Sequence, residues 1–324
     1  MSSPSRRFGL LHGALLVAAS ASLWGTDALF RQGLAEQLPA IEVVFWEHLI
    51  LAAVVLPFVL RSIGALRGVS GRAWIALAVV GGGSSVAATI LFTQALTYGN
   101  PTLPLLLQKL QPVIAVAAAR VLLGERLLPR YFVYFVASLA GSYLIAFGTH
   151  TNEAGQLAAA GLAVGAAALW ALGTVLGKYA GAQVTPMQLT SLRFVLGFPV
   201  ALVLLLIHDA AEGGPLVHAQ GSDAPALIEL ALIPGLLALV LYYRGLRRTT
   251  ASAATLAELA FPLTAVVVNY FAFGTTLDAA QIVGAVLLSA TVVTLGLADR
   301  RGGARSGVVP PRRSMAMVPE PEPG

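Results

Sequence analysis

An all-α membrane protein, with ten transmembrane helices arranged as two inverted five-helix repeats, is the fold class that three observations predict. The first is composition. Of 324 residues, 57% are hydrophobic and 11% charged, and mean hydropathy is +0.80. Soluble domains carry roughly 25% charged residues, so this chain could not cover a water-facing surface. That excludes soluble enzymes, nucleic-acid binders and disordered scaffolds. The second observation is a series of ten apolar runs, each near the ~20 residues that a helix needs to cross a bilayer at 1.5 Å per residue. The third is a match between the two halves at a nearly constant offset. There is no cysteine, hence no disulfide, zinc–thiolate site or thiol nucleophile.

The runs are 12–31, 42–60, 73–93, 103–122, 131–148, 157–177, 187–207, 225–243, 251–271 and 279–297. Their separators are mostly polar, charged or rich in Gly and Pro, as in Leu66-Arg67-Gly68, Tyr98-Gly99-Asn100-Pro101 and Gly213-Gly214-Pro215. The runs lack period-2 alternation and are too long for barrel strands. Lipid offers no hydrogen-bond partners, so each run must satisfy its backbone internally, as a helix. The first follows Arg6 and Arg7 and contains Ala19-Ser20-Ala21, which resembles a leader-cleavage site. It is read as a membrane helix because the repeat needs it as the partner of a later one. Residues 299–324 pass from an arginine cluster to Pro-Glu-Pro-Glu-Pro and are expected to be a disordered cytoplasmic tail.

Orientation follows from the cations. With the N-terminus inside, cytoplasmic segments hold Arg6, Arg7, Arg61, Arg67, Arg72, Arg126, Arg130, Lys178, Arg244, Arg247, Arg248 and five tail arginines, which is 16 of the 20 Lys and Arg. The opposite loops hold Glu36, Glu153, Asp209, Glu212, Asp223 and Asp278. Both termini are therefore expected in the cytoplasm, and the net charge of +5 reads as loop charge rather than a nucleic-acid patch.

Leu23-Trp24 recurs as Leu169-Trp170, 146 residues on, and Glu47 corresponds to Arg193 at the same offset. Pro112-Val113-Ile114-Ala115-Val116 corresponds to Pro262-Leu263-Thr264-Ala265-Val266 at an offset of 150, as does Gly124-Glu125-Arg126-Leu127 to Gly274-Thr275-Thr276-Leu277. With five helices in each half, the second half enters the membrane from the opposite side, a design shared by many secondary transporters. The expected units are 10–148 and 157–298.

These residues resemble a known family. Leu23-Trp24-Gly25 with Arg31, Gln111-Pro112-Val113 followed by Leu122-Leu123-Gly124-Glu125-Arg126-Leu127, and in the second half Leu169-Trp170 with Lys178, then Phe261-Pro262 with Gly274, are similar to the EamA-type transporters of the drug/metabolite transporter superfamily. The resemblance spans about residues 10–298. It implies a central cavity and alternating access, with amino acids, small metabolites or drugs as cargo. The sequence departs from the pattern at Thr275, where the second turn lacks its glutamate, and at Glu47-His48, where the family often has an arginine that is kept here at Arg193.

An ionisable side chain at mid-bilayer costs about 2.5–3.5 kcal/mol and persists only where it faces protein or water. Asp27, Glu47, His48, Lys109, Arg193 and Glu258, with neutral Gln94, Gln108, Gln111, Tyr242, Tyr243 and Asn269, are such positions. Gln108 and Gln111 share a helix face, Lys109 lies about 100° round from Gln108, and Pro112 is expected to free the carbonyl of Gln108, four residues earlier. Glu47, His48, Gln108, Lys109, Gln111, Arg193 and Glu258, with the aromatic residues Trp24 and Trp170, are the candidate substrate-binding or cavity residues. For the tryptophans, at matched positions in the two halves, packing is the slightly favoured reading. His48, next to Glu47 and titrating near neutrality, is a candidate proton relay. Asp27 and Arg31 form an i,i+4 pair, expected to be structural and near the outer interface. Gly81-Gly82-Gly83-Ser84-Ser85 has no following Lys-Ser/Thr and reads as a site of close helix approach.

Matched depths along the spans predict two ion pairs, Glu47–Lys109 on the outer side and Arg193–Glu258 on the inner, as alternating gates or static neutralisation. No catalytic or nucleotide-binding motif occurs, so no enzyme activity, catalytic residue, metal or cofactor is expected. The function expected is secondary transport, by export across the inner cell membrane, of a small polar metabolite, amino acid or drug, coupled to protons. The partners are that small-molecule substrate, protons and the lipid bilayer, with no nucleic acid. A channel or a structural membrane partner is the alternative.

Overall fold

The computed structural model describes residues 4–98, 101–123, 131–147, 154–213, 217–246, 257 and 260–303, all of it helical apart from turns and short loops. In chain order the helices are α1 (Pro4–Gly25), α2 (Asp27–Gln37), α3 (Ala40–Leu66), α4 (Gly71–Ala95), α5 (Thr102–Leu107), α6 (Gln111–Leu123), α7 (Tyr131–Phe147), α8 (Ala154–Ala180), α9 (Pro186–Glu212), α10 (224–246), α11 (Ala260–Phe273) and α12 (Ala279–Gly303). The described part of the expected tail, through Gly303, is the helical end of α12.

The expectation of ten transmembrane helices is corrected by helix length. Among the described residues, five helices are long and apolar enough to cross a membrane: Ala40–Leu66, Gly71–Ala95, Gly155–Gly177, Pro186–Glu212 and Gly221–Tyr242. Phe132–Ile145, Ala260–Phe273 and Ala279–Thr291 are apolar but shorter. The fold is an all-α multi-span bundle in which continuous apolar sequence does not everywhere make one continuous crossing helix.

The breaks have local causes. Run 12–31 divides at Thr26, whose hydroxyl and N–H both donate to the Leu23 carbonyl, at 2.7 and 3.1 Å. Asp27 then starts α2, where an acid suits the positive end of a helix. Run 103–122 divides at a 3-10 turn, Gln108–Leu110, immediately before Pro112, which has no N–H to continue the α pattern. The carbonyl of Gln108 is not freed as expected, because in this tighter turn it accepts the N–H of Gln111. Two crossing helices contain wider π segments, Val80–Ala87 in α4 and Ala231–Leu237 in α10.

Three helices, α3, α8 and α9, have 27 residues each, and α3 packs against α9. α1 packs on α10 and α11, while α8 packs on α4 and α6; α7 packs on α12. Small residues bring these helices close. A Cβ on Gly81 would lie 3.0 Å from both the Arg193 carbonyl and the Gly197 nitrogen, and one on Gly284 would lie 2.7 Å from the Gly141 carbonyl. The lipid-facing surface carries large apolar side chains such as Ile75, Phe132, Val133, Phe271 and Val286, each more than 60% exposed.

Candidate functional site

A cavity of about 820 Å³ lies between the two halves of the bundle. Eight of the nine expected site residues line it: Trp24, Glu47, His48, Gln108, Lys109, Gln111, Trp170 and Arg193. Glu258 lies outside the described residues, as does the turn 124–130. The 3-10 turn at Gln108–Leu110 has three residues per turn, which stacks Gln108 and Gln111 on one face. Lys109, about 120° round, borders the same space. The ammonium of Lys109 sits 4.1 Å from the Phe261 ring centroid, and Gln111 donates to the Thr174 hydroxyl at 3.2 Å.

The strongest electrostatic feature is centred on Arg31, which is 3% exposed. Its Nε and Nη2 donate to the two oxygens of Asp27 at 2.7 and 3.0 Å. Nη1 and Nη2 donate to the two oxygens of Glu47 at 2.9 and 3.3 Å. The remaining Nη1 proton goes to the Thr93 hydroxyl at 3.1 Å. All five guanidinium N–H groups are thereby used. The cluster ties α2 to α3 and α4 at one end of the cavity. One helical turn nearer that end, Leu34, Leu38 and Val43 join Leu227 and Leu230 in an apolar plug.

This geometry corrects the first expected ion pair. Glu47 is bound by Arg31, not Lys109, because α2 folds back over α3 and delivers a guanidinium that matches a carboxylate in fork geometry. The expected Asp27–Arg31 pair forms, and both residues also line the cavity. The second expected pair, Arg193–Glu258, involves a residue outside the described set. The guanidinium carbon of Arg193 is 5.5 Å from the Phe194 ring centroid.

His48 is 2% exposed overall and still borders the cavity. Its Nδ1 lies 2.9 Å from the Val44 carbonyl, an acceptor only, so Nδ1 carries the proton. Its Nε2 lies 3.0 Å from the Ser85 hydroxyl, which donates to the neutral ring. Ser85 belongs to the π segment of α4, where widened helices often present functional groups.

Other lining residues were not singled out for the site from sequence: Ser84, Ser85, Thr89, Phe92, Thr174 and Phe261. Hydroxyl residues and phenylalanines in a membrane helix look alike whether they face a neighbour or a cavity. The only available signal was repeat matching: Phe92 corresponds to Tyr242 at the offset of 150. Among the described residues, no group of three or more His, Cys, Asp or Glu is arranged to hold a metal ion.

The model of the EamA-like transporter family matches this chain twice, over residues 11–147 and 157–297. A riboflavin transporter, ImpX, of Fusobacterium nucleatum subsp. nucleatum is 29% identical over 300 residues, covering 88% of this chain and 97% of that protein. A solved crystal structure superposes with a TM-score of 0.59 at 20% identity, covering 89% of this chain and 97% of the other, and so shares the fold. Taken with a polar cavity inside an apolar helical bundle, these matches make the chain a member of the EamA-like transporter family of the drug/metabolite transporter superfamily, a multi-pass membrane-embedded secondary transporter of small polar solutes and not an enzyme.

Proposed function

We propose that this transporter exports a small polar metabolite, amino acid or drug across the inner membrane by alternating access, coupled to protons. Its termini lie in the cytoplasm, and two EamA-like repeat units, 10–148 and 157–298, precede a cytoplasmic tail from 299. The observation that carries the reading is the 820 Å³ cavity. It gathers charged and amide side chains whose presence in an apolar bundle is costly unless they serve water or cargo.

In this reading Gln108, Lys109 and Gln111 contact cargo, and Arg193 contributes charge from the other half. Glu258 is retained as a proposed member of the site. The Asp27–Arg31–Glu47 cluster closes one end of the cavity. Opening there separates α2 from α3, with Arg31 keeping Asp27, its neighbour on the same helix, and releasing Glu47. His48 carries the proton: its Nε2 accepts a hydrogen bond from Ser85 at 3.0 Å and would donate one after protonation. The riboflavin transporter relative puts flavins first among cargoes to test, followed by amino acids.

The test is uptake of radiolabelled solutes into proteoliposomes with and without a pH gradient. Accumulation against a concentration gradient, lost in Lys109→Gln, is the expected result. Equilibration without accumulation would make the protein a channel. Accumulation that ignores the pH gradient in both wild type and His48→Gln would remove the proton.

A further inference from the structure

The aromatic residues of the cavity form two walls built across the halves. Trp24 of α1 meets Tyr242 of α10, with ring centroids 5.2 Å apart and planes tilted by 48°. Trp170 of α8 meets Phe92 of α4 at 5.5 Å and 57°. All four residues line the cavity. The walls are also images of each other in sequence. The tryptophans are 146 residues apart and Phe92 precedes Tyr242 by 150, the two offsets that relate the halves elsewhere. Each half thus supplies an indole to a wall that the other half completes.

Packing alone does not account for this arrangement. Phe92 is 3% exposed, whereas both indoles and Tyr242 are only partly buried, and they border the cavity. Both indoles pack against one apolar cluster that includes Phe92 and Phe261, so the walls are neighbours. Polar groups flank them: Ser84, Gln108, Gln111 and Thr174. Gln111 uses one amide N–H on Thr174, and its amide oxygen faces no described partner. Indole rings offer broad π-faces to flat ligands, while a flexible aliphatic solute gains little from them.

We infer that the two walls are an aromatic clamp, and that the cargo carries a planar aromatic or heteroaromatic ring bearing a polar substituent. The ring lies against Trp24 and Trp170, and the substituent reaches Gln108, Gln111 and Thr174. This rests on the transport reading above and narrows its substrate class.

The test is equilibrium binding to the full-length protein in nanodiscs, by calorimetry and ligand-induced thermal stabilisation. Riboflavin, adenosine and L-tryptophan are each compared with a counterpart free of the aromatic ring: ribitol, ribose and L-alanine. At least one ring-bearing probe should bind at least about tenfold more tightly than its counterpart. Trp24→Ala and Trp170→Ala should each weaken that binding about tenfold, and Trp170→Phe should keep most of it. Trp74→Phe, packed against a separate cluster around Leu77, should leave it unchanged. Should either alanine variant fail to fold, Trp→Met at the same position keeps bulk without a ring and carries the same expectation.

Equal affinity for ringed and ring-free probes overturns the clamp. So does an unchanged affinity in folded variants lacking either indole. If ring-free solutes accumulate in proteoliposomes while no ringed probe binds, the clamp falls and transport stands. If no probe binds or accumulates, both fall.

Discussion

Replacing Arg31 by glutamine should be among the most damaging single changes in this protein. The guanidinium makes five hydrogen bonds, four of them to carboxylate oxygens. The side chains of Arg31, Asp27 and Glu47 are 4%, 15% and 9% exposed. Two unit charges about 4 Å apart attract by roughly 4 kcal/mol at an effective dielectric of 20, and desolvation offsets part of that. Losing the cation leaves two largely buried carboxylates without a counter-charge, so a cost of about 3–5 kcal/mol is expected. Glu47→Gln is milder, at about 1–3 kcal/mol, because the amide oxygen still accepts from Arg31 and Asp27 still neutralises it. In the double variant neither charge is stranded by the loss of the other, so its cost should fall short of the sum by more than about 1.5 kcal/mol. The assay is equilibrium unfolding in mixed micelles followed by tryptophan fluorescence. Additivity within about 0.5 kcal/mol would refute the contact. The parallel cycle of Glu47→Gln with Lys109→Gln should be close to additive, because the Glu47 carboxylate is occupied by Arg31.

Three further outcomes are expected. A cysteine at Ser222, an exposed position in the turn before α10, should be labelled from outside intact cells by an impermeant maleimide; labelling of a tail cysteine instead would reverse the proposed topology. Gly284→Ala places a Cβ 2.7 Å from the Gly141 carbonyl and should destabilise by about 1–3 kcal/mol as α7 and α12 separate, and an unchanged melting temperature would show that the two helices are not so tightly packed. Glu42 is fully buried and accepts the backbone N–H groups of His218 and Ala219 at 2.9 and 2.8 Å. Glu42→Ala should therefore cost about 1–3 kcal/mol and speed amide exchange at both positions, whereas Glu42→Gln should retain much of their protection.

The helical class and the site were legible to different depths. Intramembrane Glu47, His48, Lys109 and Arg193 pointed to the cavity because the cost of burying charge in an apolar bundle leaves few places for it. Run length did not reveal helix continuity. Leu103 through Leu122 reads as one apolar span, yet the 3-10 turn before Pro112 divides it. Counting residues from a helix end gives one coordinate only, and Glu47 and Lys109 share that coordinate without touching. Arg31 reached Glu47 instead because α2 turns at Thr26, and a turn made by one threonine hydroxyl inside an apolar run carries little sequence signal. Phe92 escaped notice for a different reason: a phenylalanine in a membrane helix is unremarkable until its partner in the other half is known.

The two π segments set an unusual constraint on how this chain can change length. Val80–Ala87 and Ala231–Leu237 sit in the middle of their helices, upstream of Phe92 and Thr93 in α4 and of Leu239 and Tyr242 in α10. Each π segment carries one residue more than the α-helix it interrupts, so losing one residue there would restore a regular α-helix at nearly the same register. A deletion between the segment and the side chains downstream has no such outlet: everything beyond it would rotate by about 100° and shift by about 1.5 Å. Thr93 would then leave Arg31 in α4, and Tyr242 would leave Trp24 in α10. Loops in such a chain can gain or lose residues freely, but in these two helices only the π segments can absorb the loss of a codon, and anywhere else it would take the cavity wall with it.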